Sequence, residues 1–246
     1  MIKNSISVLG SGWLGFPLAQ SLSKEFSIKL STTTYKKFDK IKDENITPFI
    51  VDINNLSGEI DKFLSSDILI INIPSKNIDG FKELIKHILN SSIQKIVFIS
   101  SISVLKDETS PLLEIENLFK KTNLEITILR FAGLIGYGRN PAKFFPNGKV
   151  VKDVNAPVNM IHRDDCINII GNVIKQGIFD ETFNCVTPSH PTKKEFYTYC
   201  AKVSDLPIPT FDSLKNESNK KIVKSDLLVL KLNYKFIHED LMKIVF

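Results

Sequence analysis

The sequence predicts a doubly wound α/β fold, in which a parallel β-sheet is covered by helices on both faces. Apolar runs of strand length alternate with segments of helical periodicity along the first half of the chain. The runs are apolar almost throughout, as expected for strands that are buried on both faces. The 246 residues suffice for one such domain with a small appended lobe.

The predicted elements of the first half follow the order that this fold requires. Six strand-like runs occur, with helical segments between most of them. The strands are expected at Ile6–Leu9, Ile28–Leu30, Pro48–Val51, Ile68–Ile71, Ile96–Ile99 and Ile126–Leu129, and the helices at Leu14–Leu22, Gly80–Leu89 and Leu112–Phe119.

The second half is less regular. Glycine and proline residues crowd positions 133–157, which predicts a loop-rich stretch. Beyond it, apolar periodicity predicts further helices and short strands. The helices are expected near Asp164–Lys175, Thr192–Val203 and Asp226–Leu232, and the strands near Thr182–Val186 and directly after Lys221.

The composition is that of a globular protein, with 43% apolar and 24% charged residues. No stretch approaches the roughly 20 apolar residues of a bilayer span. The start, Met1–Asn4, leads directly into the first strand without a leader-like apolar segment. We therefore expect a cytoplasmic protein without a membrane partner.

Cysteine and charge patterns exclude several other classes. Cys166, Cys185 and Cys200 are too widely spaced for a disulfide framework, and no group of potential ligands has metal-ligand spacing. The formal charge of +5 is spread along the chain, without the aromatic residues that interleave the basic stripe of a nucleic-acid reader. A basic surface favours an anionic small ligand instead.

A glycine-rich turn follows the first predicted strand. Gly10, Gly12 and Gly15 form a GxGxxG pattern between that strand and the first helix, with Ser11, Trp13 and Leu14 at the other positions. In this context the first glycine permits a tight turn, the second lets the backbone approach a diphosphate, and the third lets helix and sheet pack closely. The pattern predicts a Rossmann-type dinucleotide-binding domain.

The end of the second strand indicates which dinucleotide is bound. NAD-binding proteins of this type carry a carboxylate there, which hydrogen-bonds the ribose hydroxyls. Here Thr32 and Thr33 are followed by Lys36 and Lys37, and no carboxylate is present. Hydroxyl and ammonium groups suit a 2′-phosphate, so we predict NADP as cofactor, with NAD as the alternative. The two lysines could also be merely an exposed helix start.

Later segments match one known family in order. Val51-Asp52 follows the third strand, Asn72-Ile73-Pro74 ends the fourth, Ser100-Ser101 ends the fifth, and 132–136 and 158–165 follow the sixth. With the glycine-rich turn, they resemble the extended and atypical branches of the short-chain dehydrogenase/reductase superfamily, which include nucleotide-sugar epimerases and dehydratases. The resemblance implies that Asp52 contacts the adenine, that Asn72, Ile73, Pro74 and Ser100 line the cofactor, and that Ser101 is the active-site serine.

The chain departs from this family at the catalytic dyad. In the family, a tyrosine and a lysine four residues later follow the serine strand, and the lysine lowers the pKa of the tyrosine. Between Leu105 and Arg130 no tyrosine occurs. Ser101 is thus the one candidate catalytic residue, and its hydroxyl could equally satisfy backbone groups of the next turn. Tyr137 is a remote alternative source of a phenol.

Two further residues are candidates for the substrate pocket. Arg139, in the glycine-rich loop after the sixth strand, could bind an anionic group. His162 could donate a proton there or, with Asp165, order the start of a helix. Arg130 is expected to order loops through carbonyl groups, while His87 and His238 receive no role.

These features lead to two functional hypotheses. The first is an NAD(P)-binding epimerase/dehydratase-like oxidoreductase that transfers hydride with a small polar, sugar-like substrate. The second is a non-catalytic NADP(H)-binding or redox-sensing protein. We expect residues 1–135, with a returning segment at about 162–190, to form the dinucleotide-binding domain, and 136–160 and 190–246 to form a small substrate-binding lobe. In similar proteins the helices after the fourth and fifth strands often form a dimer interface. A homodimer is therefore one of the oligomeric states that the sequence allows.

Overall fold

The structure is a computed structural model that describes residues 4–41, 45–145, 149–212 and 221–246. Met1–Lys3, the first residues of the chain start that was expected to lead into β1, lie outside the described residues. The predicted doubly wound α/β fold is confirmed: a seven-stranded sheet has the order β3-β2-β1-β4-β5-β6-β9. Its strands are β1 (Ser5–Leu9), β2 (Ser27–Thr32), β3 (Ile46–Ile50), β4 (Ile68–Ile71), β5 (Lys95–Ser101), β6 (Glu125–Phe131) and β9 (Thr182–Cys185).

Parallel pairing holds the central strands in register. In the middle of the sheet, Ile6 of β1 lies between Ile28 of β2 and Ile68 of β4. The outer pairs β2–β3 and β4–β5 are also parallel. The strand order reverses between β1 and β4, and ligands of such sheets bind outside the carboxyl ends of the strands at this reversal.

Helices connect the strands, and the periodicity predicted those at Gly15–Leu22, Ile78–Leu89 and Pro111–Lys120 but not the short ones at Phe38–Ile41 and Ile60–Leu64. The helix α1 buries Gly15, Leu18, Ala19 and Leu22, the 3.6-residue spacing of one helical face. The helices are α1 (Gly15–Leu22), α2 (Phe38–Ile41), α3 (Ile60–Leu64), α4 (Ile78–Leu89), α5 (Pro111–Lys120), α6 (Arg163–Gln176), α7 (Lys193–Val203) and α8 (Asp226–Leu232). Among the residues that the structure describes, every helix is too short or too polar to cross a lipid bilayer.

The chain divides into two compact units. Unit 1 comprises Met1–Arg130 and Ile170–Phe183, and unit 2 comprises Phe131–Ile169 and Asn184–Phe246. In unit 1, the rings of Phe81, Phe98 and Phe119 pack with centroids 5.2–6.1 Å apart and lie in its apolar core. A second core in unit 2 surrounds Ile135, Phe196 and Leu241.

Unit 2 contains a small sheet that the periodicity did not reveal. It consists of two parallel strands of three residues each, β7 (Gly133–Ile135) and β8 (Met160–His162). Residues 221–225 do not form the short strand predicted after Lys221. Side chains bind the backbone there instead: Val223 N–H donates to Asn159 Oδ1, and Ser225 Oγ bonds both N–H and C=O of Val186.

Candidate functional site

The glycine-rich turn adopts a conformation that requires glycine at two of its three positions. Gly10 has φ +109°, and a Cβ there would lie 2.5 Å from the carbonyl oxygen of Asn72. A Cβ on Gly15 would overlap the carbonyl oxygen of Gly10 and lie 2.7 Å from Asn72 Nδ2. The turn is fixed to β2 by Gly10 N–H, which donates to Ser31 Oγ at 2.7 Å. The backbone between β1 and α1 is therefore closely packed against the end of β4.

Gly12 has different surroundings. It is exposed, and among the residues that the structure describes no atom would lie within 4 Å of a Cβ at this position. The turn leads into α1, where no side chain caps the helix N-terminus. A helix start without a side-chain cap, beside open space, has N–H groups and a positive dipole end that suit a phosphate group. Trp13 is half-buried beside this position rather than part of the core.

The end of β2 presents hydroxyl and ammonium groups. Thr32 is buried, whereas Thr33, Lys36 and Lys37 are exposed. Thr34 Oγ1 accepts a hydrogen bond from Lys36 N–H at 3.0 Å and so caps the 3₁₀ turn Tyr35–Lys37. This cap fixes where the main chain of both lysines leaves the sheet, while their side chains remain in solvent.

Polar side chains follow β3 and β4. Asp52 Oδ1 accepts hydrogen bonds from Asn54 N–H and Asn54 Nδ2, both at 2.9 Å. Asn54 Oδ1 in turn accepts from Asn77 Nδ2 at 2.9 Å, and Asn77 caps α4. Asn72 and Ile73 are half-buried and Pro74 is exposed. The Asp52 carboxylate is thus held in place by its own turn.

A buried ion pair lies behind the end of β5. The Glu116 carboxylate of α5 is completely buried and accepts hydrogen bonds from Ser100 Oγ at 2.6 Å and from Arg130 Nε and Nη2 at 3.0 and 2.5 Å. The side chain of Arg130 is only 14% exposed. The prediction that Arg130 orders loops through their carbonyl groups is therefore wrong, because the described hydrogen bonds of its guanidinium go to the Glu116 carboxylate. Ser100, expected to line the cofactor, uses its hydroxyl on this carboxylate.

Ser101 is held by the turn that follows it. Its Oγ accepts from Ser103 N–H at 3.1 Å and caps the 3₁₀ helix Ile102–Leu105. The side chain is half-buried, so the hydroxyl hydrogen can still be donated. Both interpretations of Ser101 remain compatible with this geometry.

In unit 2, three aromatic side chains surround one carboxylate. Asp164 Oδ2 lies 3.0 Å from Tyr137 Oη, 3.1 Å from His238 Nε2 and 3.2 Å from His162 Nδ1. The rings of His162 and His238 stand 3.8 Å apart between centroids. Burial and the charge of His238 lower the pKa of His162, whereas the hydrogen bond to Asp164 raises the pKa of Tyr137.

The two predicted pocket residues of unit 2 differ in access. His162 is buried, and Gly136, with φ +103°, faces its imidazole so closely that a Cβ there would overlap Nε2. Arg139 is exposed, and its backbone pairs with that of Gly136 across a tight turn.

Asp165 is not the partner of the His162 ring. Its buried carboxylate accepts from Tyr234 Oη, Ile237 N–H and His238 N–H at 2.7–3.1 Å.

Sequence reasoning assigned no role to Glu116, Asp164 or His238. Glu116 lies on the same buried face of α5 as Ile115 and Phe119. A glutamate on an otherwise apolar helical face was the signal that could have identified it. No local pattern connects His238 with Asp164, which lie 74 residues apart.

The Rossmann-type fold that the resemblance implied is confirmed, and solved nucleotide-sugar epimerases have the same fold. A UDP-glucuronic acid 4-epimerase variant from Bacillus cereus, bound to a UDP-sugar analogue and NAD, superposes with a TM-score of 0.77 at 18% identity, covering 97% of this chain and 96% of that one. A UDP-N-acetylglucosamine 4-epimerase from Methanobrevibacter ruminantium superposes with a TM-score of 0.74 at 16% identity, covering 98% and 94%.

A nearer relative in sequence is Protein YeeZ of Escherichia coli. It is 28% identical to this chain over 265 aligned positions, which cover 96% of each protein. No protein-family model matches the sequence.

Proposed function

We propose that unit 1 binds a nicotinamide dinucleotide, with its diphosphate at the turn from Gly10 to Gly15. The observation that carries this proposal is the contrast within the turn. Gly10 and Gly15 are glycines because the backbone is crowded, whereas Gly12 faces open space at a helix start that no side chain caps. Backbone crowding accounts for the absence of a side chain at Gly10 and Gly15. At Gly12 the absence of a side chain is accounted for by a ligand that approaches the backbone.

The ligand test uses two glycine variants. Gly12→Val is expected to lower dinucleotide affinity more than about tenfold, because its side chain would occupy the space proposed for the diphosphate. The matched control is Gly171→Ala, since Gly171 in α6 also has no neighbour within 4 Å of a Cβ. Calorimetric titration measures both. Equal affinities in the two variants would remove the glycine-rich turn from the proposal.

We propose NADP(H) rather than NAD(H) as the preferred cofactor. Support comes from the end of β2, where exposed Thr33 and Lys36 occur and no carboxylate does. Lys36→Glu is expected to weaken NADP binding by about tenfold or more, the effect of losing one charge-assisted hydrogen bond, and to leave NAD binding unchanged. Lys202→Glu in unit 2 is the charge-matched control. Equal affinity of the wild type for NAD and NADP would contradict the preference.

We further propose an epimerase- or dehydratase-like oxidoreductase that acts on a small polar, sugar-like substrate. The epimerases of the same fold were obtained with UDP-sugars or a UDP-sugar analogue, and one with NAD. When bound, the nicotinamide would accept hydride from a hydroxyl-bearing carbon or return it. Ser101, at the carboxyl end of β5, would hydrogen-bond the substrate oxygen, and the exposed Arg139 would bind an anionic group.

A second candidate is a non-catalytic NADP(H)-binding or redox-sensing protein. The observation that favours it is on α5, the helix after the serine strand. This helix carries the buried Glu116, paired with Arg130, and contains no tyrosine, so the pair of a tyrosine and a lysine four residues later is missing from it. The proton-transfer group of those enzymes has no equivalent in α5.

A substrate panel distinguishes the two candidates. Sugar nucleotides and simple sugars are incubated with the protein and NADP or NAD, and the near-ultraviolet absorbance of the reduced nicotinamide and the epimeric products are measured. Turnover that falls in Ser101→Ala supports the enzyme. Tight NADP(H) binding without turnover of any panel member supports the second candidate, and no binding of either dinucleotide rejects both.

A further inference from the structure

Asp164, His162 and His238 form a compact cluster in unit 2 that the dinucleotide proposal does not use. One imidazole nitrogen from each histidine and one carboxylate oxygen lie within 4.8 Å of one another. The distances from the carboxylate oxygen to the two imidazole nitrogens, 3.2 Å to His162 Nδ1 and 3.1 Å to His238 Nε2, are close to the edge length of a tetrahedral site. With metal–ligand bonds of about 2.0–2.1 Å, that edge is about 3.3 Å.

The hydrogen-bonding pattern at His162 leaves a pair of electron-rich atoms in contact. Asp164 N–H donates to His162 Nδ1 at 3.2 Å, so Nδ1 is an acceptor and carries its lone pair. The same nitrogen lies 3.2 Å from Asp164 Oδ2, which is also an acceptor. A cation between the two atoms would convert this repulsion into attraction.

The surrounding residues hold the cluster in place. Gly136 leaves room for the imidazole of His162 and contacts its Nε2 edge, so that Nδ1 is the nitrogen turned toward Asp164. The buried carboxylate of Asp165 accepts hydrogen bonds from Ile237 N–H and His238 N–H, and so fixes the segment that carries the second imidazole. Outer contacts of this kind orient ligands in metal sites.

We propose that His162, Asp164 and His238 bind a divalent transition-metal ion of the Zn²⁺ type. Two imidazoles and one carboxylate are a ligand set that such ions accept, with a fourth position left for water. Tyr137 Oη, 3.0 Å from the same carboxylate oxygen, lies where it can hydrogen-bond that water or contact the ion. The positive charge of Arg163, which stacks on the Tyr137 ring at 4.1 Å, opposes binding and limits the affinity. The site is independent of the proposed dinucleotide function.

Equilibrium dialysis of the full, tag-free chain against buffered Zn²⁺ tests the proposal. Elemental analysis should find about one Zn²⁺ per wild-type chain. His238→Gln and Asp164→Asn should each lower the affinity more than about tenfold, because each removes a ligand. His87→Gln is the matched control, since His87 Nδ1 also contacts a carboxylate, that of Asp61, at 3.2 Å. This control should bind as the wild type does.

A second measurement keeps the test decisive if a variant does not fold. Cobalt(II) added to the wild-type chain should produce visible d–d bands of a four-coordinate site without a thiolate charge-transfer band, because the proposed ligands contain no cysteine. Absence of stoichiometric Zn²⁺, unchanged binding by a folded His238→Gln, or a thiolate band with cobalt would each overturn the proposal.

Discussion

The buried pair of Glu116 and Arg130 gives a sharp prediction about stability. In Glu116→Gln the volume is kept, and the amide oxygen can still accept from Ser100 Oγ and Arg130 Nε. The amide nitrogen then faces Arg130 Nη2, so two donors oppose each other where the wild type has a 2.5 Å ion pair. The guanidinium also loses its counterion.

The size of the effect depends on burial. Breaking a buried ion pair at one partner costs about 3–5 kcal/mol. Since 14% of the Arg130 side chain remains exposed, we expect the lower end, about 3 kcal/mol. For a chain of this length that lowers the melting temperature by about 6–12 °C. Glu116→Gln combined with Arg130→Met should be at least about 1 kcal/mol more stable than Glu116→Gln alone, because no uncompensated charge is left.

Urea unfolding followed by Trp13 fluorescence reports on unit 1, which contains the sole tryptophan and both members of the pair. Glu25→Gln is the matched control. Its carboxylate pairs with Lys175 at the surface, with both side chains about half exposed, so its loss should change the free energy of unfolding by less than about 1 kcal/mol. A Glu116→Gln protein as stable as this control, or a double variant less stable than Glu116→Gln, would refute the reasoning.

Three further predictions concern other parts of the molecule. The thiols of Cys166, Cys185 and Cys200 are buried, and burial raises all three pKa values, that of Cys200 to about 12, so a thiol reagent should modify them at pH 8 only after denaturant is added. Ser225→Ala should lower the free energy of unfolding by about 2 kcal/mol in urea titrations, because two buried hydrogen bonds to Val186 are lost, and the exposed Ser21→Ala should not. Gly136→Ala should lower the melting temperature more than Gly138→Ala: both have positive φ, but only the former Cβ meets the His162 ring, and equal losses would contradict that contact.

Elements set by local periodicity could be predicted from the sequence. The predicted α1, Leu14–Leu22, differs by one residue from the helix found, because apolar residues at 18, 19 and 22 mark one face and glycines mark the turn before it. The helix Asp226–Leu232 is found at its predicted bounds. The three-residue strands β7 and β8 escaped prediction, since they are too short to show an alternating pattern and one of them begins with a glycine.

Contacts between distant residues could not be predicted in the same way. The strand expected after Lys221 is absent. The backbone N–H and C=O of Val186, which a neighbouring strand could have paired with, are hydrogen-bonded instead by the side chain of Ser225, 39 residues away in sequence. His238 received no role, although the buried Asp165 carboxylate brings its backbone to the start of α6. A single sequence carries no local pattern that indicates such pairs.

The way the chain is divided between its units bears on how the protein can be dissected. Each unit is assembled from two separate stretches, so no single cleavage of the polypeptide releases either one whole. A fragment that ended at Arg130 would lack β9, and β6, which carries the buried Ile128, would become an open edge with unpaired N–H and C=O groups. Such edges pair with other chains, so we expect truncation to yield aggregates.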